Sequence, residues 1–530
     1  MAGKQNQMFM KGALILLIAN IVVKVIGAVF KIPLTYILDE EGMAMFAQSY
    51  QIYGWLFVIA TAGFPVAISK MIAESRALGK VKEVKRIHLA SVIIMGTIGL
   101  IGTAILFFGA RPLAFIMELP EAEMGIRAIA PALLFVTLMS IYRGFFQGHQ
   151  DMMPTALSEV VEALGKLIIG YSLAAALLDT GLEYASAGAV FGVSAGAFLG
   201  FSIIYVIYLF RRRNLYRADE LSAPGQSRSV GAIIKSLLRI AIPITIGASV
   251  FSLTSVIDAA MVMRRLKDAG FDHEHAKFLW GAYSGYAQPM FNLPATMVTS
   301  ISVSLVPAIS GALAIGKQKT AQRTTELSLR LAWLFSLPCA VGLAIMAAPV
   351  LYLVYSNSNA APMLSILGYA VALVSMVSVA NAILQATGHI WIPVRNMLIG
   401  GAIKIAVNYT LVGMPAFNIH GAPVGTILCY VTILILNLAS IRRIIGTKLS
   451  VVDFIVKPVL SVAVMAAAVL AVYGALPESR LSTLVAIGAG AVVYAAMLFV
   501  IGCIREQDVE MIPKAEKLLP IMKKLRLIRK

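Results

Sequence analysis

Two lysines, Lys24 and Lys31, interrupt the first long apolar run of the chain, which covers residues 12–38. Seven residues are close to two helical turns, so both ammonium groups would lie on one helix face, about 10 Å apart along its axis. A lysine at the centre of a bilayer costs about 2.5–3.5 kcal/mol on insertion scales. We therefore expect Lys24 to face a water-filled cavity or to form an ion pair with an acid such as Asp258. Lys31 either shares the cavity or extends to the membrane surface.

Amides and tyrosines gather in two further apolar runs. They are Gln48, Gln51 and Tyr53 in the second run and Gln288 and Asn292 in the eighth. Amide and hydroxyl groups suit a sugar or peptide ligand, but buried amides also hold membrane helices together. The sequence leaves both interpretations open.

Charged residues also lie at the outer end of the seventh apolar run. Asp258 is near the end of the run, and Arg264 and Arg265 follow just beyond it. We include all three in the predicted cavity site, with the two arginines at its rim.

Two other charged groups favour structural roles. Glu162 and Lys166 are four residues apart in the fifth run, a spacing at which a helix can pair opposite charges. Arg143, near the predicted cytoplasmic end of the fourth run, is explained as well by interfacial anchoring as by contact with a phosphate.

No enzyme site is predicted. The chain has no G-x-x-x-x-G-K-[ST] phosphate loop, so ATP hydrolysis is not expected. The histidines of HEH (273–275) would point to different faces of a helix, and only on a loop could they share a metal. Cys339, Cys429 and Cys503 are far apart in apolar runs. We therefore expect no metal and no cofactor.

The composition is that of a multi-pass membrane protein. Of the 530 residues, 59% are hydrophobic and 13% are charged, against about a quarter charged in soluble proteins. We predict an all-α fold with fourteen membrane-spanning helices. The predicted spans are 12–37, 44–69, 87–110, 125–147, 154–178, 184–210, 237–263, 284–313, 327–348, 361–386, 393–413, 420–445, 452–475 and 481–504.

Basic and acidic connections alternate between these spans, which predicts the topology. Connections rich in lysine and arginine alternate with acidic or neutral ones such as 38–42 and 118–123. By the positive-inside rule, this pattern places both termini in the cytoplasm. The same rule explains the net charge of +18, so we expect no nucleic-acid partner.

An internal repeat divides the chain. KLIIGYSL (166–173) matches KIAVNYTL (404–411), and GAVFG (188–192) matches GAPVG (421–425). The two copies are an even number of spans apart and share one orientation. Parallel repeats of this kind are typical of transporters that bind their ligand between two lobes.

The repeat predicts four regions. These are an N-terminal lobe of six helices (1–222), a pseudo-symmetric C-terminal lobe of six helices (228–446), two further helices (447–508) and a basic tail (509–530). The tail mixes leucine and isoleucine with lysine and arginine, as segments that bind anionic membrane lipids do.

Several motifs resemble one branch of transporters. KVIGAVFKIPLTYIL, EGMAMFAQSYQIYGW, TAGFPVAISKMIAE and YRGFFQGHQDMMPTALSEVVE resemble the polysaccharide branch of the multidrug/oligosaccharidyl-lipid/polysaccharide (MOP) exporter superfamily. Within it, the chain is most similar to SpoVB/YtgP-type proteins, a group that includes MurJ-like lipid II flippases.

The resemblance implies a fold and a function. It implies two lobes around a central cavity lined by helices 1, 2, 7 and 8, alternating access, and a groove between helices 13 and 14 for a lipid tail. Lys24 and Lys31 would contact the pyrophosphate of an undecaprenyl-linked glycan, lipid II, in the cytoplasmic membrane. Cell-wall synthesis proteins would then be partners. Helices 2 and 8 lack the cations that such flippases carry in mid-span.

Other functions are open alternatives. The lipid-linked glycan could instead be a precursor of capsule, teichoic acid or spore cortex. A cation-coupled drug antiporter would need an acid deep in helix 1, where this chain has Lys24. A non-transporting scaffold in a wall-synthesis complex is the alternative from a different functional class.

Overall fold

The computed structural model describes residues 2–77, 80–220, 228–314, 316–447 and 450–503. Within these ranges the chain is helical and contains no β-strand, so the predicted all-α class is confirmed. The predicted basic tail (509–530) lies outside the described residues.

Seventeen α-helices follow one another along the described chain. They are α1 (Ala2–Thr61), α2 (Phe64–Ala77), α3 (Val81–Phe108), α4 (Ala110–Ile116), α5 (Glu123–Gly148), α6 (Met153–Leu177), α7 (Leu182–Glu220), α8 (Val230–Asp268), α9 (His273–Gly281), α10 (Gln288–Ala314), α11 (Gln318–Ile345), α12 (Ala347–Tyr355), α13 (Ala361–Ala386), α14 (Trp391–Val407), α15 (Gly421–Ile445), α16 (Lys457–Ala475) and α17 (Arg480–Val500). Short π-helical turns occupy Ala282–Ala287, Asn408–Val412 and Val452–Val456.

Helix α1 contains two predicted spans and is broken between them. Its 60 residues would extend about 90 Å as one straight helix, three times the thickness of the hydrocarbon core of a bilayer. The break falls at Asp39, whose φ of 48° lies outside the helical region. Only a few non-glycine residues adopt positive φ, and aspartate is among those that tolerate it best. The acidic stretch 38–42 therefore forms the turn between spans 1 and 2.

The second predicted span continues from α1 into α2. Each of the other predicted spans lies mainly on one long helix of the described chain, and three of them include a π-helical turn. Ten helical stretches in the described residues are long and apolar enough to cross a membrane, and the longest, Ile18–Arg76, includes both halves of α1. These helices make the chain a multi-pass membrane protein. The exact number of fourteen crossings stays a prediction.

The chain forms two compact units, Met1–Gly281 and Ala282–Lys530. In the first unit α5 packs against α1, α2, α3 and α7, while α6 packs against α1 and α7. In the second unit α13 packs against α10, α11 and α15. The lobe limits predicted from the repeat stay predictions.

Glycines bring α6 and α7 into close contact. A Cβ atom at Gly192 would collide with the backbone of Gly170, and one at Gly165 would lie 2.9 Å from Gly196 Cα. Gly188 and its match in the second repeat, Gly421, share this feature: their Cβ atoms would lie 3.0 and 2.9 Å from the backbone carbons of Leu173 and Leu411. Small residues let membrane helices approach closely. The matching glycines of the two repeats are therefore contact points between helices.

We expect Gly192→Val to lower stability by about 1–3 kcal/mol or more, because the new side chain overpacks the contact between α6 and α7. The matched control is Gly231→Val on α8, where a Cβ atom meets nothing within 4 Å. Thermal unfolding of both purified variants measures the difference. Equal unfolding midpoints for the two variants would contradict the role of the glycine contact.

Candidate functional site

The first unit contains a cavity of about 290 Å³ between α1, α5, α6 and α7. Its polar lining consists of Tyr50, Tyr53, Arg143, Glu159, Glu162 and Lys166. Its apolar lining includes Val23, Ile26, Phe30, Phe57 and Val193. Charged groups in a membrane protein usually mark a ligand or ion pathway, and we take this cavity as the candidate site.

An aromatic row on the second half of α1 forms one wall. The ring centroids of Phe46 and Tyr50 are 5.7 Å apart, those of Tyr50 and Tyr53 are 6.1 Å apart, and those of Tyr53 and Phe57 are 5.7 Å apart. Spacings of three and four residues place all four rings on one helix face. Tyr53, a predicted site residue, is buried in this row and lines the cavity.

Lys166 extends from α6 over this aromatic wall. Its Nζ lies 4.6 Å from the centre of the Tyr50 ring and 5.0 Å from that of Phe30, and it donates to Tyr50 Oη at 3.3 Å. Aromatic faces attract cations by about 0.5–2 kcal/mol. No carboxylate of the described residues lies within 4.0 Å of this ammonium, so its charge is balanced only by ring faces and a hydroxyl.

Arg143 lines another part of the cavity, where it contacts α6. Its Nη2 lies 2.9 Å from Glu162 Oε2, and its Nε donates to Ser158 Oγ at 3.0 Å. The carboxylate of Glu162 thus pairs with an arginine of α5, and not with Lys166 one turn along its own helix. A charge-assisted hydrogen bond in a poorly solvated site fixes the orientation of both side chains.

The two predicted lysines of α1 lie close to the cavity. Lys24 is exposed and follows Val23, which lines the cavity, while Lys31 is half-buried and follows Phe30. Lys31 lies one helical turn after Gly27, which lines the cavity, and Lys166 Nζ lies over the ring of its neighbour Phe30. Neither lysine has a carboxylate within 4.0 Å among the described residues.

Gln48 and Gln51 occupy two different environments on α1. Gln48 is fully buried and its Nε2 donates to the backbone oxygen of Ala259 on α8 at 3.0 Å. This contact is one of helix packing. Gln51 is half-buried. Neither amide is among the residues that line the cavity.

The charged residues of α8 also lie apart from the cavity lining. Asp258 is buried, Arg264 is exposed, and Arg265 Nη1 lies 2.6 Å from Asp268 Oδ2. Gln288 is half-buried and Asn292 is exposed at the start of α10, in the second unit. The structure thus brings Tyr53 into the cavity and places Lys24 and Lys31 beside it.

The sequence favours a structural role for Lys166, leaves Arg143 open between anchoring and phosphate contact, and gives Glu159 no role. The spacing of Glu162 and Lys166 suggested a pair that neutralises itself. The partners came instead from helices distant in sequence. The only signal was three charged residues (Glu159, Glu162 and Lys166) at helical spacing within one apolar run.

A second ionic cluster lies at the turn of α1. Lys277 Nζ on α9 lies 3.0 Å from both Glu41 Oε2 and Glu274 Oε2 and 4.0 Å from Glu121 Oε1. His273 Nε2 lies 2.7 Å from Glu121 Oε1. Ligand atoms of Glu121, His273 and Glu274 lie within 4.8 Å of one another. The buried ammonium of Lys277 already supplies positive charge there.

The cluster shifts the pKa values of its members on α9, which lies outside the predicted spans. Burial alone would lower the pKa of Lys277, but hydrogen bonds to Glu274 and Glu41 outweigh it and raise this pKa. The hydrogen bond from Lys277 lowers the pKa of Glu274. Both shifts favour the charged forms that attract each other.

The helical architecture is that of a solved lipid II flippase, MurJ, in an inward closed conformation. The TM-score is 0.68 at 15% identity, over 92% of this chain and 98% of the MurJ chain. This likeness shows that the two chains share a fold.

A model of the family described as "polysaccharide biosynthesis protein" matches residues 9–313, more than half of the chain. The chain therefore belongs to the polysaccharide biosynthesis protein family, and the membership predicted from its motifs is confirmed. Stage V sporulation protein B of Bacillus subtilis (strain 168) is 26% identical over 97% of this chain and 99% of its own length. Lipid II flippase MurJ of the same organism is 27% identical over 82% of this chain and 83% of its own length.

The ionic cluster at the turn of α1 should stabilise the fold only within a pH window. The raised pKa of Lys277 gives a contribution that is full below the unfolded lysine pKa, about 10.4, and is lost as pH rises through the folded pKa. The lowered pKa of Glu274 gives one that is full above the unfolded glutamate pKa, about 4.3, and is lost as pH falls through the folded pKa.

We expect Lys277→Met to lower the free energy of unfolding most between these limits, by about 1 kcal/mol because its partners are partly exposed. Thermal unfolding of wild type and variant across this range measures the difference. Lys235→Met, at an exposed position on α8, is the control. A difference that stays constant with pH would refute an electrostatic origin.

Proposed function

We propose that this protein is a flippase that moves lipid II from the inner to the outer leaflet of the cytoplasmic membrane by alternating access. The observation that carries the proposal is the cation pair Lys31 and Lys166, which lies at a membrane-embedded cavity without carboxylate partners among the described residues. Its relative MurJ of Bacillus subtilis is a lipid II flippase, and this similarity supports the choice of substrate.

The charge arrangement suits a pyrophosphate. Two like charges that influence each other in a poorly solvated site repel, and an anion between them removes this repulsion. A lysine ammonium acts as a point charge that binds phosphate oxygens. Lys166 is held only by ring faces and a tyrosine hydroxyl, so it can turn to a ligand without breaking an ion pair.

The other predicted residues keep proposed roles. Lys24 would guide the pyrophosphate from its exposed position beside the cavity. Tyr53 and Gln51 would contact the glycan or the peptide, and Gln48 would position its helix through Ala259. Asp258, Arg264, Arg265, Gln288 and Asn292 complete the proposed set, with the two arginines at the rim.

The proposal places both termini in the cytoplasm and involves no covalent chemistry. An outward-moving anionic headgroup would gain from an inside-negative membrane potential, at about 2.3 kcal/mol per charge per 100 mV. The proposed partners are the lipid-linked glycan, anionic lipids and proteins of cell-wall synthesis.

A flippase for another undecaprenyl-linked glycan is the second candidate. One observation favours it: the sporulation protein matches nearly the full length of this chain, whereas MurJ of the same organism matches 82% of it. A spore-cortex precursor would carry the same pyrophosphate, so the cation pair would serve either substrate.

Complementation tests the proposal. A bacterium depleted of its own lipid II flippase should regain outer-leaflet lipid II when it expresses this protein. Lys31→Gln and Lys166→Gln should each reduce this recovery by about tenfold or more, since loss of one charge-assisted contact costs about 1.5–3 kcal/mol.

The control Lys235→Gln removes an exposed lysine of α8 and should leave recovery unchanged at equal expression. Full recovery by both cavity variants would refute the role of the cation pair. Failure of the well-expressed wild type, followed by rescue of a strain that lacks a cortex-precursor flippase, would select the second candidate.

A further inference from the structure

Two carboxylates face the cavity from one helix. Glu159 and Glu162 both line it and lie three residues apart on α6. Side chains at this spacing are neighbours on a helix, so two ionised carboxylates there repel each other. Of the described cations, Arg143 is the one that pairs with this helix turn, through Nη2 to Glu162 Oε2 at 2.9 Å.

Among the described residues, Arg143 makes no hydrogen bond to Glu159. The guanidinium donates through Nε to Ser158 and through Nη2 to Glu162. Glu159 Oε2 is buried and has no hydrogen-bond partner among the described residues. A buried ionised oxygen without a donor is unfavourable, and a bound proton removes its charge.

No other group around Glu159 supplies the missing charge. The ionisable groups that face this part of the cavity are Tyr50 and Tyr53 of α1, Arg143 of α5, and Glu162 and Lys166 of α6, with Lys31 of α1 beside them; α7 contributes only Val193. Lys166 is held over the rings of Phe30 and Tyr50. Within the described chain, no lysine or arginine nitrogen lies within 4.0 Å of Glu159.

The second repeat shows that helix packing does not need these charges. With Lys166 aligned on Lys404, Arg143 corresponds to Asn381 and Ser158 to Asn396. These two asparagines are joined through Asn437, with hydrogen bonds of 2.8 and 2.9 Å. The positions of Glu159 and Glu162 are taken by Met397 and Gly400. Arg395 also donates to Asn396 Oδ1, but no acid occupies these positions. The second repeat therefore forms the joint without acids, so the acids of the first repeat serve another purpose.

We propose that Glu159 is a proton-binding site of the cavity. With its proton bound, the acids and bases facing the cavity have a net positive charge, as an anionic ligand requires. Loss of the proton adds a negative charge on the same wall. Protonation of Glu159 and anion binding at Lys31 and Lys166 therefore favour each other, and this coupling is reciprocal. The coupling rests on the proposed function, whereas the proton site does not.

Infrared spectroscopy of the purified full-length protein tests the proton site directly. A protonated carboxyl absorbs in the carboxylic C=O stretching region, apart from ionised carboxylates. We expect wild type at neutral pH to show such a band, Glu159→Gln to lose it, and Glu159→Asp to keep one at a shifted frequency. Identical spectra for wild type and Glu159→Gln would overturn the proposal.

Two further variants separate local from general effects. Glu123→Gln removes a carboxylate that pairs with Arg127 on α5 outside the cavity lining, and it should leave the band unchanged. Glu162→Gln frees Arg143 to pair with Glu159, so the band should vanish at neutral pH and return on acidification. A band that is lost from Glu123→Gln but kept in Glu159→Gln would assign the proton elsewhere.

Inorganic pyrophosphate is the probe for the coupling. At pH values above the pKa of Glu159, its binding should be accompanied by proton uptake at this site in wild type, and its affinity should fall by up to about tenfold per pH unit. Both effects should be absent from Glu159→Gln. A carboxyl band that depends on Glu159 but does not respond to bound pyrophosphate would overturn the coupling alone. Absence of pyrophosphate binding would count against the proposed anion site, while the infrared result decides the proton site.

Discussion

In an apolar environment every polar group needs a hydrogen-bond or ionic partner. The rest of this structure depends on this constraint. In a chain that is 59% hydrophobic, a backbone amide facing hydrocarbon has no water to bind, so helices are the economical solution. Helix α1 leaves this conformation only at Asp39, between two spans, where the neighbouring acid Glu41 pairs with Lys277. The glycines of α6 and α7 follow from the same requirement, because helices held by packing alone must approach closely.

The same constraint explains how the cations of the cavity are held. These cations are of two kinds. Arg143 is paired with a carboxylate and a serine hydroxyl, in a geometry that holds α5 against α6. Lys166 is held by aromatic rings, whose attraction for a cation is about 0.5–2 kcal/mol. A ligand anion competes easily with ring faces and poorly with a carboxylate, so the first cation is structural and the second is available.

The fold was predictable because its signals are local. Run length and charge predicted the spans, and each lies mainly on helical segments of the described chain.

The site was less predictable, because its partners come from helices that are distant in sequence. The spacing of Glu162 and Lys166 indicated a mutual pair, but Glu162 pairs with Arg143 of α5, and Lys166 lies over rings of α1. Gln48 could have faced a ligand or a helix, and only the approach of Ala259 decides for the helix. The sequence showed that α6 carries charged residues along one face. It did not show which helices this face would contact.

The internal repeat gives a control for deciding which polar groups serve packing. Both copies retain a lysine, Lys166 and Lys404, but Lys404 is buried, whereas Lys166 reaches the cavity. Around Lys404 the equivalent joint is made of amides, which need no counter-charge and are linked through Asn437 by two hydrogen bonds. Around Lys166 it is made of an arginine and two acids, which cost more to bury. A fold that can close the joint with amides has no structural need for these charges, so their presence in one copy alone points to the ligand or the ion that the cavity handles.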